Sequence, residues 1–234
     1  MLSQSCFSAL SYRLLSRLAL AGSLLLLPSF TEPAAFSQTR YTMNAFLRCT
    51  HDDAIIQAFN LMGDSRGEVS LDKIVNKPVH VIFKDLKTMH KSLKNYDALS
   101  WISTQGEQVI FINDKHRKAP PEALAALISH EAMHDDQYNS LNEEVQSWRH
   151  EAMVWMELSA RNPKLAKIPA GQSALVDREN RLVTEYQQGS LEQFVRSSAG
   201  YAKLPETSPG FSVSHAKQKH SGENLPQTEQ VSGR

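Results

Sequence analysis

Ser129-His130-Glu131-Ala132-Met133-His134 is the segment of this chain whose residue types and spacing can do chemistry. Two histidines four apart on a helix carry their imidazoles on one side, one turn apart. Nitrogens placed that way suit one tetrahedral Zn²⁺. Glu131 stands about 100° around such a helix from His130. From there its carboxylate reaches a water beside the metal without becoming a ligand. The spacing therefore offers two ligands and one base on a rigid rod. The preceding run Ala123-Leu124-Ala125-Ala126-Leu127-Ile128 is apolar on every side, and a helix of that kind is buried. Buried polar groups left unpartnered cost roughly 2–7 kcal/mol each. A metal ion would partner both imidazoles at once.

The segment resembles the zinc-binding helix of the zincin metallopeptidases, which share the pattern His-Glu-x-x-His. The metzincin branch would continue with Gly and then His, three and six residues after the second histidine. Gln137 and Ser140 stand there instead. The gluzincin branch takes a third ligand from a following helix, and Glu143, Glu144 and Glu151 are on offer. Leu141, Val145, Trp148, Ala152 and Trp155 form one apolar stripe at heptad-like spacing. Glu144 lies roughly 60° from the centre of that stripe and Glu143 roughly 160° away. Ser140-Leu141-Asn142-Glu143 also reads as a capping box, with Ser140 as N-cap. Glu144 is thus the expected third ligand, and Glu143 an outward-facing cap. Glu151, two turns on and nearly on the same side, is the candidate for orienting a ligating histidine from behind. His150 falls on the far face and is expected to be exposed.

The resemblance runs from Val109 to Trp155. The link between His134 and Glu144 is short for that branch, and its second acidic residue, four after the Glu, is replaced by Trp148. The likeness is therefore to a compact gluzincin-like zincin of no named subfamily. It implies an α+β fold, mostly helical, with a small and mainly antiparallel sheet packed beside the HExxH helix. It implies Zn²⁺ on His130, His134 and Glu144, with Glu131 as general base in peptide hydrolysis. It also implies an edge strand, here Val109–Ile112, that pairs with an extended peptide substrate. A donor for the developing oxyanion is expected as well, from among Tyr138, His116 and Tyr186. Two other readings stay open: a non-catalytic zinc-binding exported protein, and an HExxH hydrolase acting on a non-peptide amide.

Elements must hold these residues in place. Thr50 and Asp53 mark a helix start, with Ala54–Met62 closed by Gly63. Pro78–Phe83 and Gln108–Asn113 read as strands by their β-branched content. The turn at Gly106 pairs Leu99–Ser103 with the second strand as a hairpin. Pro120-Pro121-Glu122 opens the motif helix, which is expected to run to about Gln137. A tight link at Tyr138–Ser140 leads to a long helix, Leu141 to about Arg161. Weaker helical patterns cover Ala174–Gln188 and Leu191–Ser198.

The chain has 234 residues with 25 basic and 25 acidic side chains, so its formal charge is zero. That balance, without a like-charged run, argues against a nucleic-acid partner. Residues 1–37 read as a signal peptide: Arg13 and Arg17 precede the apolar run Leu18–Leu27, closed by Pro28, with Ala35-Phe36-Ser37 as the cleavage site. The run is short of the roughly 20 residues that span a bilayer, so no stable membrane anchor is expected after cleavage. The expected location is secreted or periplasmic. Removing Cys6 with the leader leaves Cys49 alone, which reads as a buried small apolar residue. The catalytic domain is expected over 38–203, and the polar stretch 204–234 reads as a disordered tail.

Overall fold

The computed structural model of the chain describes residues 40–135 and 138–208. The proposed signal peptide lies outside these residues, as does all of the expected tail beyond Ser208. Helix α1, Met43–Leu47, is capped by the Thr42 hydroxyl. Helix α2, Asp53–Gly63, starts one residue before the expected Ala54, because the Asp52 carboxylate caps it by accepting from the Ala54 N–H. Its apolar face buries Ile55, Ala58, Phe59 and Met62. Helix α3, Glu68–Asn76, has no strong sequence signal, since only Leu71, Ile74 and Val75 give it an apolar side. Cys49 is buried as expected.

Strand β1, His80–Lys84, begins two residues past Pro78, which has no N–H for a ladder. After helix α4, Leu86–Met89, come β2, Ala98–Ile102, and β3, Gln108–Asn113. The β2–β3 hairpin is antiparallel, with Leu99 opposite Phe111. Its turn holds Gly106 at φ 82°, a conformation that favours glycine.

The fold is α+β, but the sheet is mixed. Its order is β1-β3-β2, with β1 parallel and β2 antiparallel to β3. The expected edge strand Val109–Ile112 is therefore the central strand. Neither the β-branched content nor the hairpin signal revealed that β1 would cover its other side. The free edge beside the hairpin belongs to β2.

Helix α5, Pro121–Glu131, lies at the centre of the molecule, and every residue from Glu122 to Glu131 is buried. It packs against α2, against helix α6, Leu141–Arg161, and against helix α7, Ala174–Gln187. Helix α8, Leu191–Ser197, closes a second apolar cluster with Val145, Ala152, Leu182, Leu191 and Val195. Helix α5 stops at Glu131, well before the expected Gln137. The tertiary structure supplies the stop. Met133 N–H closes a tight turn onto the His130 carbonyl. Lys73 of α3 donates to the Met133 carbonyl and to Asp135, a basic cap of the sort that ends helices.

The N-terminus of α6 is satisfied from two sources. The first N–H groups of a helix have no partner within it. Leu141 N–H donates to the Pro205 carbonyl at 2.8 Å and Asn142 N–H to the Glu206 carbonyl at 3.1 Å. The Ser140 hydroxyl accepts from Glu143 N–H, so Ser140 is the expected N-cap. Residues 204–208 are thus bound to the domain and are not part of a disordered tail. Composition hid this, because main-chain carbonyls cap α6 and the side-chain contacts, Ser208 to Glu143 and Arg196 to Glu206, join residues whose types alone do not reveal a partner. A chain ending at Lys203 should be less stable than one ending at Ser208. Two hydrogen bonds of about 0.5–1.5 kcal/mol each put the difference at about 1–3 kcal/mol, read by urea unfolding of the two chains.

Candidate metal centre

The end of α5 presents His130 and Glu131, and the turn after it presents His134. The expected single helical rod is therefore broken between the two histidines. Their rings still lie close, with centroids 5.5 Å apart. The first turn of α6 brings Glu144 against both. Glu144 Oε2 is 3.6 Å from His130 Nε2, and Glu144 Oε1 is 3.9 Å from His134 Nε2. One donor atom from each of the three lies within 4.8 Å of the others. Donors on a tetrahedral ion with bonds near 2.0–2.1 Å stand roughly 3.3 Å apart, so this set is slightly open for such an ion.

Each of the three is backed from behind. Glu151 Oε2 lies 3.0 Å from His130 Nδ1, although off the line of a good hydrogen bond. Glu143 Oε1 lies 3.4 Å from His134 Nδ1. Acids at both Nδ1 atoms favour protons there, which leaves the Nε2 lone pairs aimed at Glu144. Glu144 itself accepts from Asn139 Nδ2 at 2.5 Å and from the Trp148 indole N–H at 3.2 Å. The donor set, its tautomers and its surplus of acid all fit a divalent cation.

Glu151, expected behind a ligating histidine, is fully buried with Oε2 3.0 Å from His130 Nδ1. Two expectations change. Glu143 does not face outward. It is buried, with Oε1 accepting from Asp135 N–H and Oε2 from the Ser208 hydroxyl. The capping role of Ser140 holds, while the reciprocal arm of the box goes to Asp135. Helical phase missed this because the chain folds back over the first turn of α6. His150 is not exposed either. Its Nε2–H donates to Ser70 Oγ at 2.9 Å, since the Ser70 proton goes to the Ser129 carbonyl.

The electrostatics follow from this packing. Burial alone would lower the His130 imidazole, but the Glu151 charge, with the Glu144 carboxylate also close by, raises it to about 10. Burial likewise opposes the proton on His134, yet Glu143 and Glu144 raise its pKa. Burial would raise Glu144, and the His130 imidazole beside it, together with the charge on His134, instead lowers it to about 2. Burial dominates at Glu131 and raises it. His150 goes the other way, lowered to about 4 by burial and by the charge on His130.

A cavity of about 320 Å³ opens onto the cluster, lined by His130, Glu131, Asp97, Trp148, Arg178 and Tyr201 among others. A larger groove of about 490 Å³, between Arg66 and Tyr186, holds none of the cluster, so size alone does not mark the site. Of the expected oxyanion donors, Tyr138 is 57 % exposed, His116 is bound to Asp97 at 2.7 Å, and Tyr186 lines that other groove. None of them lines the cavity at the cluster. Tyr201 does, and sequence reasoning missed it together with Arg178. Both come from beyond the motif and its following helix, and neither carries a local signal. Comparisons with family models, curated proteins and solved structures gave no match to this chain.

In the metal-free protein, His130 should stay protonated until about pH 10, His134 should give up its extra proton at a higher pH than a free imidazole, and His150 should stay neutral down to about pH 4. Ring ¹⁵N shifts followed through a pH titration check this. A cation must displace the two imidazole protons, so its affinity should increase with pH until they are lost. Affinity flat from pH 6 to 9 would contradict the geometry.

Proposed function

We propose that this chain is an exported zinc-dependent metallopeptidase. One observation carries the reading: His130, His134 and Glu144 converge, and Glu131 lines a cavity together with His130 without being one of the three. Zn²⁺, when bound there, supplies Lewis acidity that polarises a carbonyl and makes water more acidic. Glu131 takes the proton from the attacking water and delivers it to the leaving amine. Burial raises its pKa, which strengthens it as a proton acceptor. Tyr201 supplies the hydrogen bond to the carbonyl oxygen. Burial and the nearby charges of Glu144 and Glu131 keep its phenol protonated and therefore a donor.

The substrate is an extended peptide, and β2 is the strand it pairs with. Asn113 N–H bonds to the Asp97 carbonyl and Ser103 N–H to the Glu107 carbonyl. Antiparallel alternation then turns the main-chain groups of Leu99 and Trp101 toward β3. Those of Ala98, Ser100 and Ile102 face the free edge. Ala98 also lines the cavity, so a peptide on this edge runs toward Glu131. A purely structural zinc site has no use for a carboxylate in that position. Export rests on residues 1–37, and the N-terminus of the exported protein should lie near Gln38.

Glu131→Gln should bind zinc as the wild type does and lose roughly 10²–10⁴-fold in peptide hydrolysis. Glu144→Ala should weaken zinc most. Glu143→Ala should weaken it by about 10–100-fold, because it releases His134 from behind. Zinc titrations and a peptide-library digest read all three. A wild-type protein that binds zinc yet cleaves no peptide would overturn the peptidase reading.

A further inference from the structure

The group that backs His130 is itself a buried carboxylate, and it needs a partner. Glu151 and Glu179 are both fully buried. A carboxylate left alone in such a place is strongly unfavourable. Arg178 of α7 meets both. Its Nη1 donates to Glu151 Oε1 at 2.5 Å and its Nη2 to Glu151 Oε2 at 3.2 Å. The same Nη1 donates to Glu179 Oε1 at 2.6 Å, and Nε stands 3.1 Å from Asp97 Oδ2. The face of the guanidinium covers the Trp148 ring at 4.6 Å.

We infer that Arg178 is the positioning residue of the metal centre, setting His130 through Glu151 and Glu144 through Trp148. A planar fork on both oxygens fixes where Glu151 sits and how its carboxylate plane is turned. Glu151 Oε2 is the atom 3.0 Å from His130 Nδ1, so the fork sets the atom that orients the imidazole. Trp148 lies edge-on to His130, with ring centroids 5.5 Å apart, and its indole N–H donates to Glu144 Oε2. Stacking on the guanidinium holds that indole in plane. One side chain on α7 thereby controls two ligands on two other helices. Lysine could match the charge but neither the fork nor the stack. Arg178 also lies outside the part of the chain that carries the zincin resemblance.

The inference rests on the metal reading, and its test separates the two. Full-length wild type, Arg178→Lys, Glu179→Gln and Glu151→Gln are titrated with Zn²⁺ and, separately, with Co²⁺, whose visible spectrum reports ligand geometry. Arg178→Lys should bind both ions about 10–100-fold more weakly, with an altered Co²⁺ spectrum. Glu179→Gln leaves the Arg178–Glu151 fork in place, so it should keep the wild-type affinity and spectrum even if its Tm falls. In the Glu151→Gln background the further loss from Arg178→Lys should be smaller than in wild type, because the path through Glu151 is already cut. Wild-type affinity and spectrum in Arg178→Lys would overturn the inference. So would an equal loss of affinity in Glu179→Gln, which would mark a general effect of disturbing the buried charges. If Arg178→Lys does not fold, the decision falls to Arg178→Gln, which keeps hydrogen-bond donors but no charge, read by the same spectrum and the same cycle. Failure of the wild type itself to bind either ion would instead sink the metal reading.

Discussion

Glu131, Glu143, Glu144 and Glu151 are buried around His130 and His134 within one small region of the molecule. Carboxylates out of water are strongly unfavourable unless each finds a cation or a set of donors. That requirement shapes the structure around the centre. Lys73 closes the end of α5 and pairs with Asp135. Asp135 N–H and the Ser208 hydroxyl serve Glu143, while Asn139 and Trp148 serve Glu144. Arg178 serves Glu151 and Glu179. Donors reach the centre from α3, from the link before α6, from α7 and from the segment after α8. Much of the chain is therefore tied to the same few acids.

The same constraint sets the electrostatics of the centre. Acids behind both Nδ1 atoms turn the Nε2 lone pairs inward and raise the basicity of the imidazoles. Without a metal, those imidazoles hold protons against the surrounding negative charge. A divalent cation bound to the three would take over from those protons as the source of positive charge. Glu131 differs from the other acids. It lines the cavity, and burial raises its pKa; the proton-moving role proposed for it draws on that difference.

Where the architecture departs from the expected one, the departures concern how elements meet. The strand expected at the edge is central because β1 adds to it in parallel. The free edge at the cavity is then β2, whose outer face carries Trp101 at 50 % exposure. The helix expected to carry both histidines ends between them, and the turn that replaces it brings His134 under Glu143. Convergence survives because Glu144 lies in the first turn of the next helix, close to both rings.

Much of this was legible in the residues alone. Helix α6 and strand β3 have the limits their periodicity and β-branched content indicated. The resemblance asked for an acid on the helix after the motif, and helical phase chose Glu144 and put Glu151 on nearly the same side, because that choice concerns angles within one regular element. An all-apolar turn announced that α5 would be buried. The end of α5 was not legible, because Lys73 of another helix determines it. Neither was the burial of Glu143, which depends on Ser208 returning to α6, nor the role of Arg178, whose partners Glu151 and Asp97 lie far from it in the chain. Side-chain direction within a helix repeats every few residues and is written locally. The partner of a buried charge is whatever the folded chain brings within about 3 Å, and only the tertiary structure decides that.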